Sequence, residues 1–232
     1  MLSRIKIIFK DPDLRKKILF VLFVLVLFRI GSNIPVPGVD EVRLNQFLSG
    51  NQFFGLLNIF SGGGFSNLSV LMLGVAPYIT ASIIMQLFTM IFPKLKELYQ
   101  EEGEAGRQKF NQYSRMLTVP LAFLQGFGLL TLLHSQGILG DLSLFGRFTN
   151  IAVMMGGTMI LMWLGELISE KGVGNGISLI IFAGIVASLP STIRGVLFSF
   201  DSSQIPVYTL FLAASFVIVA GVVFITEAER PI

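Results

Sequence analysis

Six apolar stretches, each near the length a helix needs to cross a bilayer, set the solvent this chain must fold in. They run Lys17–Ile34, Val75–Phe92, Met116–Leu133, Ile151–Ile168, Ile177–Leu189 with some extension, and Val207–Thr226. A hydrocarbon core about 30 Å thick takes roughly 20 mostly apolar helical residues. Charged residues make up 13% of the chain, about half the share of an ordinary soluble domain. They crowd into the first turns and into Lys94–Arg115, which leaves long uncharged runs between. The expected fold class is an all-α polytopic membrane protein.

Orientation follows from where lysine and arginine fall. Short loops rich in these residues stay on the cytoplasmic side. With the N-terminus inside, only Arg29, Arg43, Arg147 and Arg194 of the 17 basic residues lie outside or near the outer end of a span. Arg15-Lys16-Lys17 ahead of Ile18–Phe28 has the look of a signal peptide. The chain then continues Arg29-Ile30-Gly31-Ser32-Asn33-Ile34-Pro35 without a small-residue cleavage site, so an uncleaved first span is expected.

Ionisable residues in spans are functional candidates, but their positions here argue for the plainer role. Arg29 and Glu166 sit near span ends, where long side chains reach the headgroups. His134, the single histidine, ends the third span and is expected to be interfacial. There is no cysteine, which excludes disulfides and thiolate metal sites. No metal-binding His-Glu-x-x-His and no Ser/His/Asp set is available, so neither an enzyme nor a cofactor is expected. Gly172-Val173-Gly174-Asn175-Gly176 lacks the spacing and the preceding strand of a nucleotide loop. The basic residues cap apolar segments and form no continuous face, which argues against nucleic-acid binding.

Leu56–Pro77 does not fit a span. Gly62-Gly63-Gly64 breaks it early, and Gly74 and Pro77 break it again. Ser66 or Asn67 is expected to N-cap a short helix through Leu73, and Pro77 suits the first turn of the next helix. Irregular backbone at membrane depth survives only where protein buries it or where it lines an aqueous cavity. Two placements satisfy this pattern: a broken helix beside a cavity, or an interfacial loop on the outer surface. Lys94–Ser114, with mixed charge around Gly103 and Gly106, reads as a solvated cytoplasmic hairpin. It is a connection, or a docking site for a partner. The mid-span polar residues, among them Thr80, Ser82, Gln86 and Gln125, make a pathway better suited to a large, varied substrate than to one ion.

These residues also carry a family resemblance. Phe60-Ser61-Gly62-Gly63-Gly64, then Leu73-Gly74-Val75-Ala76-Pro77-Tyr78-Ile79-Thr80-Ala81-Ser82-Ile83-Ile84-Met85-Gln86-Leu87, closely resembles the plug and second span of the bacterial SecY protein-conducting channels. Glu102-Gly103-Glu104-Ala105-Gly106-Arg107 with Tyr113-Ser114-Arg115 is similar to the first large cytoplasmic loop. Trp163-Leu164-Gly165-Glu166 through Gly172–Ser178 and Ile181–Val186 resembles the junction of spans four and five. The resemblance covers essentially the whole chain.

It implies a half clamshell of five helices plus the sixth span, with a re-entrant plug helix. The expected segments are a basic N-terminal stretch at 1–17, the first half of the channel at 18–193, and an outer loop with the sixth span at 194–232. Four spans of a ten-span SecY, including the opposite wall of the lateral gate, are missing. It further implies a pore ring of Val75, Ile79, Ile177 and Ile181. The plug would be Phe60, Ser61, Gly62, Gly63, Gly64, Phe65, Ser66, Asn67, Leu68, Ser69, Val70, Leu71, Met72 and Leu73. Thr80, Ile83, Gln86 and Gln125 would lie along the lateral gate. Lys94, Lys96, Arg107, Lys109 and Arg115 would contact cytoplasmic partners, a SecA motor or the ribosome. Further implied partners are SecE- and SecG-like small subunits, signal sequences, unfolded polypeptide, membrane lipid and a second SecY half. The implied function is translocation of secretory proteins across, and insertion of membrane proteins into, the plasma membrane. Half of a small-solute secondary transporter, built from an inverted repeat with a broken helix, is the alternative from another class.

Overall fold

The computed structural model describes residues 11–36, 58, 61, 64–65, 68–140, 143–198 and 205–227. Within these the chain forms seven helices: α1 Pro12–Gly31, α2 Ala76–Ile91, α3 Pro93–Gln100, α4 Gly103–Ser135, α5 Leu144–Lys171, α6 Gly176–Phe198 and α7 Ile205–Glu227. Four of them, α4 to α7, are long and apolar enough to cross a membrane, and α2 with α3 qualifies as a bent pair. The chain divides into two units, Met1–Ser188 and Leu189–Ile232. The second holds the end of α6 and all of α7, which is apolar throughout. Everything that follows concerns the first unit.

α1 starts where sequence chemistry says it should. Asp11 accepts a hydrogen bond from the Asp13 N–H at 2.9 Å, and Pro12 fills the first turn, where no donor is lost. At its far end Ser32 Oγ and Asn33 Nδ2 both donate to the Arg29 carbonyl, at 2.9 and 2.7 Å.

α2 has 16 residues, about 24 Å at 1.5 Å per residue, and so falls short of an apolar layer of about 30 Å. Its N-terminus is reached through the turns of 68–75. Leu68 and Ser69 are fully buried, with Leu71 and Met72 close behind, so protein covers the irregular backbone. Its polar groups are paired accordingly. Val36 N–H donates to the Leu68 carbonyl at 2.8 Å and Val70 N–H to the Ile34 carbonyl at 3.0 Å, which makes an antiparallel bridge of Pro35 with Ser69. Ser69 N–H reaches the Gly64 carbonyl at 2.8 Å, and Ser69 Oγ accepts from Leu71 N–H.

The expected plug helix through Leu73 is not formed: 68–75 is a series of turns. Ser69 engages its own neighbours, and Leu68 takes a positive φ of 37°, which a right-handed helix cannot contain. Phe60, Gly62, Gly63, Ser66 and Asn67 lie outside the described residues, as do Arg4, Lys6, Lys10, Arg43 and Arg230. Pro77 does occupy the first turn of α2.

The segment expected as a solvated hairpin of about twenty residues is instead nearly all helix. Phe92 is extended (φ −107°, ψ 108°), as a residue before proline prefers, and there the chain bends by 112° into α3. Gly103, at φ +62°, then starts α4, whose 33 residues reach about 50 Å. The hairpin closes because Gly106 has no side chain: a Cβ there would land on the Leu98 carbonyl. Leu98, Phe110 and Met85 form its small core.

Two larger clusters make the body of the unit. Phe65, Leu68 and Met72 pack with Leu130 and Leu133 of α4, Ile151 and Met154 of α5, and Ile138 and Leu139 between them. Leu71 and Val75 pack with Val24 and Phe28 of α1, Leu161, Leu164 and Ile168 of α5, and Ile180 of α6. The turns of 68–75 thus feed side chains alternately into both clusters. On α4 the buried row Gly106, Phe110, Ser114, Thr118, Ala122, Gly126, Leu130 repeats every four residues, and its small members let neighbouring helices approach closely. Ser114 and Thr118 satisfy their hydroxyls on the carbonyls one turn back, at 3.1 and 2.7 Å.

Candidate functional site

The site is assembled at the start of α6. After α5 the chain must reverse within a few residues, and Gly174 takes φ +75° to do so, a conformation that side chains other than hydrogen disfavour. Asn175 Oδ1 then accepts from Ser178 N–H at 3.1 Å and caps α6. Ser169 ties the two helices together: its hydroxyl donates to the Gly165 carbonyl at 3.1 Å and accepts from Gly176 N–H at 2.8 Å. No Cβ fits at Gly176, because it would strike the Gly165 carbonyl, and none fits at Gly165, where Ile177 Cδ1 sits. The glycine cluster that imitates a nucleotide loop is therefore a close helix–helix joint. It places Ile177, and Ile181 one turn on, along one face of α6.

On the facing side, Val75 caps α2 and receives the Ile79 N–H at 3.0 Å. Two cavities open here. The first, about 320 Å³, is lined mainly by apolar side chains: Phe65, Met72, Leu73, Val75 and Leu129, with Ser61 and Gln125 as polar exceptions. The second, about 590 Å³, is lined by polar groups including Tyr78, Ser82, Gln86, Asn111, Arg115 and Glu166. Ile79 and Ile181 line both cavities, so aliphatic side chains from α2 and α6 form the partition between them. Val75 faces only the apolar cavity and Ile177 only the polar one.

The remaining sequence-derived candidates are distributed unevenly. Of the expected plug, Ser61, Phe65, Met72 and Leu73 line the apolar cavity, whereas Leu68, Ser69 and Leu71 are buried in the packed body. Gly64 accepts the Ser69 N–H, and the Val70 carbonyl abuts α5 at Gly157. The four expected gate residues are not brought together. Gln125 reaches the apolar cavity, Ile83 and Gln86 the polar one, and Thr80 lines neither, its Oγ1 donating to the Ala76 carbonyl at 3.0 Å. Lys94, Lys96, Arg107 and Lys109 are exposed on the α3–α4 hairpin, with Lys109 3.7 Å from Glu102.

Arg115 departs from that group. It turns toward Glu166 of α5, Nε to Oε1 at 2.6 Å, and both line the polar cavity. Glu166, expected to be a headgroup-facing residue, is thus a site residue, its side chain 16% exposed. The signal available was that Arg115 and Glu166 are opposite charges at the same-side ends of two successive apolar segments. His134 lies 3.3 Å from Arg147 Nη2. Among the described residues no group of His, Cys, Asp or Glu could hold a metal ion.

Comparison with known proteins places this architecture. The SecY family model matches residues 69–232. The protein translocase subunit SecY of Streptomyces scabiei is 42% identical over all of this chain and 56% of its own length. That of Corynebacterium glutamicum is 43% identical over 97% of this chain and 53% of its own. That of Mycobacterium bovis is 40% identical over 100% and 55%. The chain spans about half the length of these curated relatives. Two solved structures share the fold. One, described as the structure of a protein conducting channel, has a TM-score of 0.56 at 22% identity, over 87% of this chain and 46% of that one. The other, Sec61 in the canine ribosome-channel complex from the endoplasmic reticulum, has a TM-score of 0.58 at 21% identity, over 92% and 48%. The chain belongs to the SecY family.

Proposed function

We propose that this chain forms one wall of a channel for unfolded polypeptide, with Val75, Ile79, Ile177 and Ile181 contributing to its constriction. The observation that carries this reading is the aliphatic partition: Ile79 and Ile181 stand between a polar cavity and an apolar one. Aliphatic side chains exclude water, and so ions, yet deform around a passing chain. The polar cavity is the vestibule on the cytoplasmic side, at the same end as the basic first turn of α1. The apolar cavity, closed by Ser61, Phe65, Met72 and Leu73, lies outward and holds the plug. Thr80, Ile83, Gln86 and Gln125 contribute to the path by which apolar segments leave sideways into lipid.

The wall is completed by a second SecY half, and SecE- and SecG-like subunits brace it in the plasma membrane with the N-terminus in the cytoplasm. Lys94, Lys96, Arg107 and Lys109 give the hairpin an exposed basic edge for a SecA motor or the ribosome. The chain itself catalyses no reaction; its partners supply the energy. The test is crosslinking in the assembled full-length channel, with cysteines introduced into this chain, which has none of its own. Cysteines at Ile79 and Ile177 should each crosslink to a stalled secretory chain, and one at the exposed Met116, which lines neither cavity, should not. Contact at neither position would refute the reading. Uptake of a small solute with no polypeptide contact would favour the secondary-transporter alternative.

A further inference from the structure

The polar cavity carries an unusual charge arrangement for a conduit: among its lining residues the charged ones are Arg115, Glu166 and Glu170. Glu166 and Glu170 lie one turn apart on α5, on one face of the helix. Glu166 is the more enclosed partner of the ion pair, its side chain 16% exposed against 42% for Arg115. Arg115 engages it through Nε, the inner edge of the guanidinium. With Arg115 present the cavity has one positive and two negative groups. Without it, two carboxylates, the enclosed Glu166 and the exposed Glu170, would line the same cavity.

From this we infer that Arg115 is a charge-compensating residue of the vestibule, which holds its net charge at one negative instead of two and so limits the retention of basic segments relative to acidic ones. The inference rests on the polypeptide-channel reading and specifies how that site treats its substrate. The physical basis is field focusing: walls of low dielectric confine the field of a fixed charge to the aqueous space between them. A net anionic vestibule retains a lysine-rich segment and hurries a glutamate-rich one through. Loss of Glu166 removes one of the two negative charges and releases the Arg115 guanidinium, which shifts the preference the other way relative to the parent. The bland alternative is a pin between α4 and α5, and a pin slows every substrate alike.

The experiment measures transit of three secretory polypeptides through the full-length channel reconstituted with its motor. The polypeptides carry a matched run of lysine, of glutamate or of serine. Arg115→Gln is expected to slow the lysine run relative to the glutamate run by about threefold, and Glu166→Gln to shift the ratio the other way. The double variant Arg115→Gln/Glu166→Gln should return the ratio toward that of the parent, as should the charge-preserving Arg115→Lys. Raising the salt from about 0.05 to 0.5 M should shrink the shifts, because exposed charges are then screened over a few ångströms. Equal slowing of all three polypeptides, an unchanged ratio or a ratio shifted in the reverse sense would overturn the inference. A parent channel that passes none of the three would overturn the channel reading itself, so the two failures are distinct.

Discussion

Two adjacent glycines on α5 offer a controlled measure of how tightly the plug segment is seated. A Cβ at Gly157 would fall on the Val70 carbonyl and 3.2 Å from Leu71 Cδ2, whereas Gly156 has nothing within 4 Å. Both are interior helical positions, so Gly→Ala brings each the same gain in helix propensity, about 1 kcal/mol. Only Gly157→Ala must also push backbone aside, and overpacking of this kind costs about 1–3 kcal/mol. Propensity cancels in the comparison, which leaves Gly157→Ala less stable than Gly156→Ala by about 1–3 kcal/mol. In a full-length channel about twice as long as this chain, 1 kcal/mol corresponds to about 1 °C, so the midpoints should differ by roughly 1–3 °C. Thermal unfolding of the two full-length variants, purified in the same detergent and heated at the same rate, measures this. Val70 also belongs to the pairing that joins 68–70 to 34–36, so Gly157→Ala should raise the resting ion conductance of the channel and Gly156→Ala should not. Coincident midpoints would refute the close approach of the Val70 carbonyl to α5.

Three further outcomes follow from the geometry. Ser169→Ala removes the hydroxyl that both accepts from Gly176 N–H and donates to the Gly165 carbonyl, and should cost about 1–3 kcal/mol in unfolding measurements. Ile79→Ser with Ile181→Ser should join the two cavities through a wet gap and raise resting conductance in planar bilayers well above either single change; equal conductance in parent and double variant would count against the partition. Leu68→Gly relieves a left-handed backbone worth about 1–3 kcal/mol but empties a fully buried site worth about 2–5 kcal/mol. The net expectation is destabilisation, and a higher melting point would contradict it.

What could be read from the sequence was whatever depends on local pattern. The apolar segments announced α1, α2 and α4 to α7, because hydropathy alone decides which stretches tolerate lipid. The place of Pro77 in the first turn of α2 followed from the same local chemistry. That the α3–α4 hairpin is helical is less legible, because its charges mask a buried stripe. Gly106, Phe110 and Ser114 continue the four-residue row of α4 into the charged segment, and Glu, Ala, Arg and Gln are themselves good helix formers. The plug turns were taken for helix because Ser66 and Asn67 look like caps, whereas Ser69 spends its hydroxyl and amide on Leu71 and Gly64. The resemblance named Val75 with Ile79 and Ile177 with Ile181, and a spacing of four puts each pair on one face of its own helix. That the two faces meet depends on Gly165 and Gly176 letting α5 and α6 touch, a contact between residues that local periodicity does not relate. The Arg115–Glu166 pair, 51 residues apart in sequence, is legible only once α4 and α5 are packed together.

The unbroken course of α4 has a mechanical consequence. Gly106, held under Leu98 in the hairpin, and Gly126, packed near Leu73 and Met154 beside the apolar cavity, are stations on one rod about 30 Å apart. A helix of this kind is stiff along its axis, so a tilt imposed on the hairpin reappears at Gly126 with little loss. Pro120 is the exception, since it lacks the N–H that would brace that turn. α4 is thus a lever softened at Pro120, and a load on its charged end is passed toward the apolar cavity, where Gly126 meets Leu73.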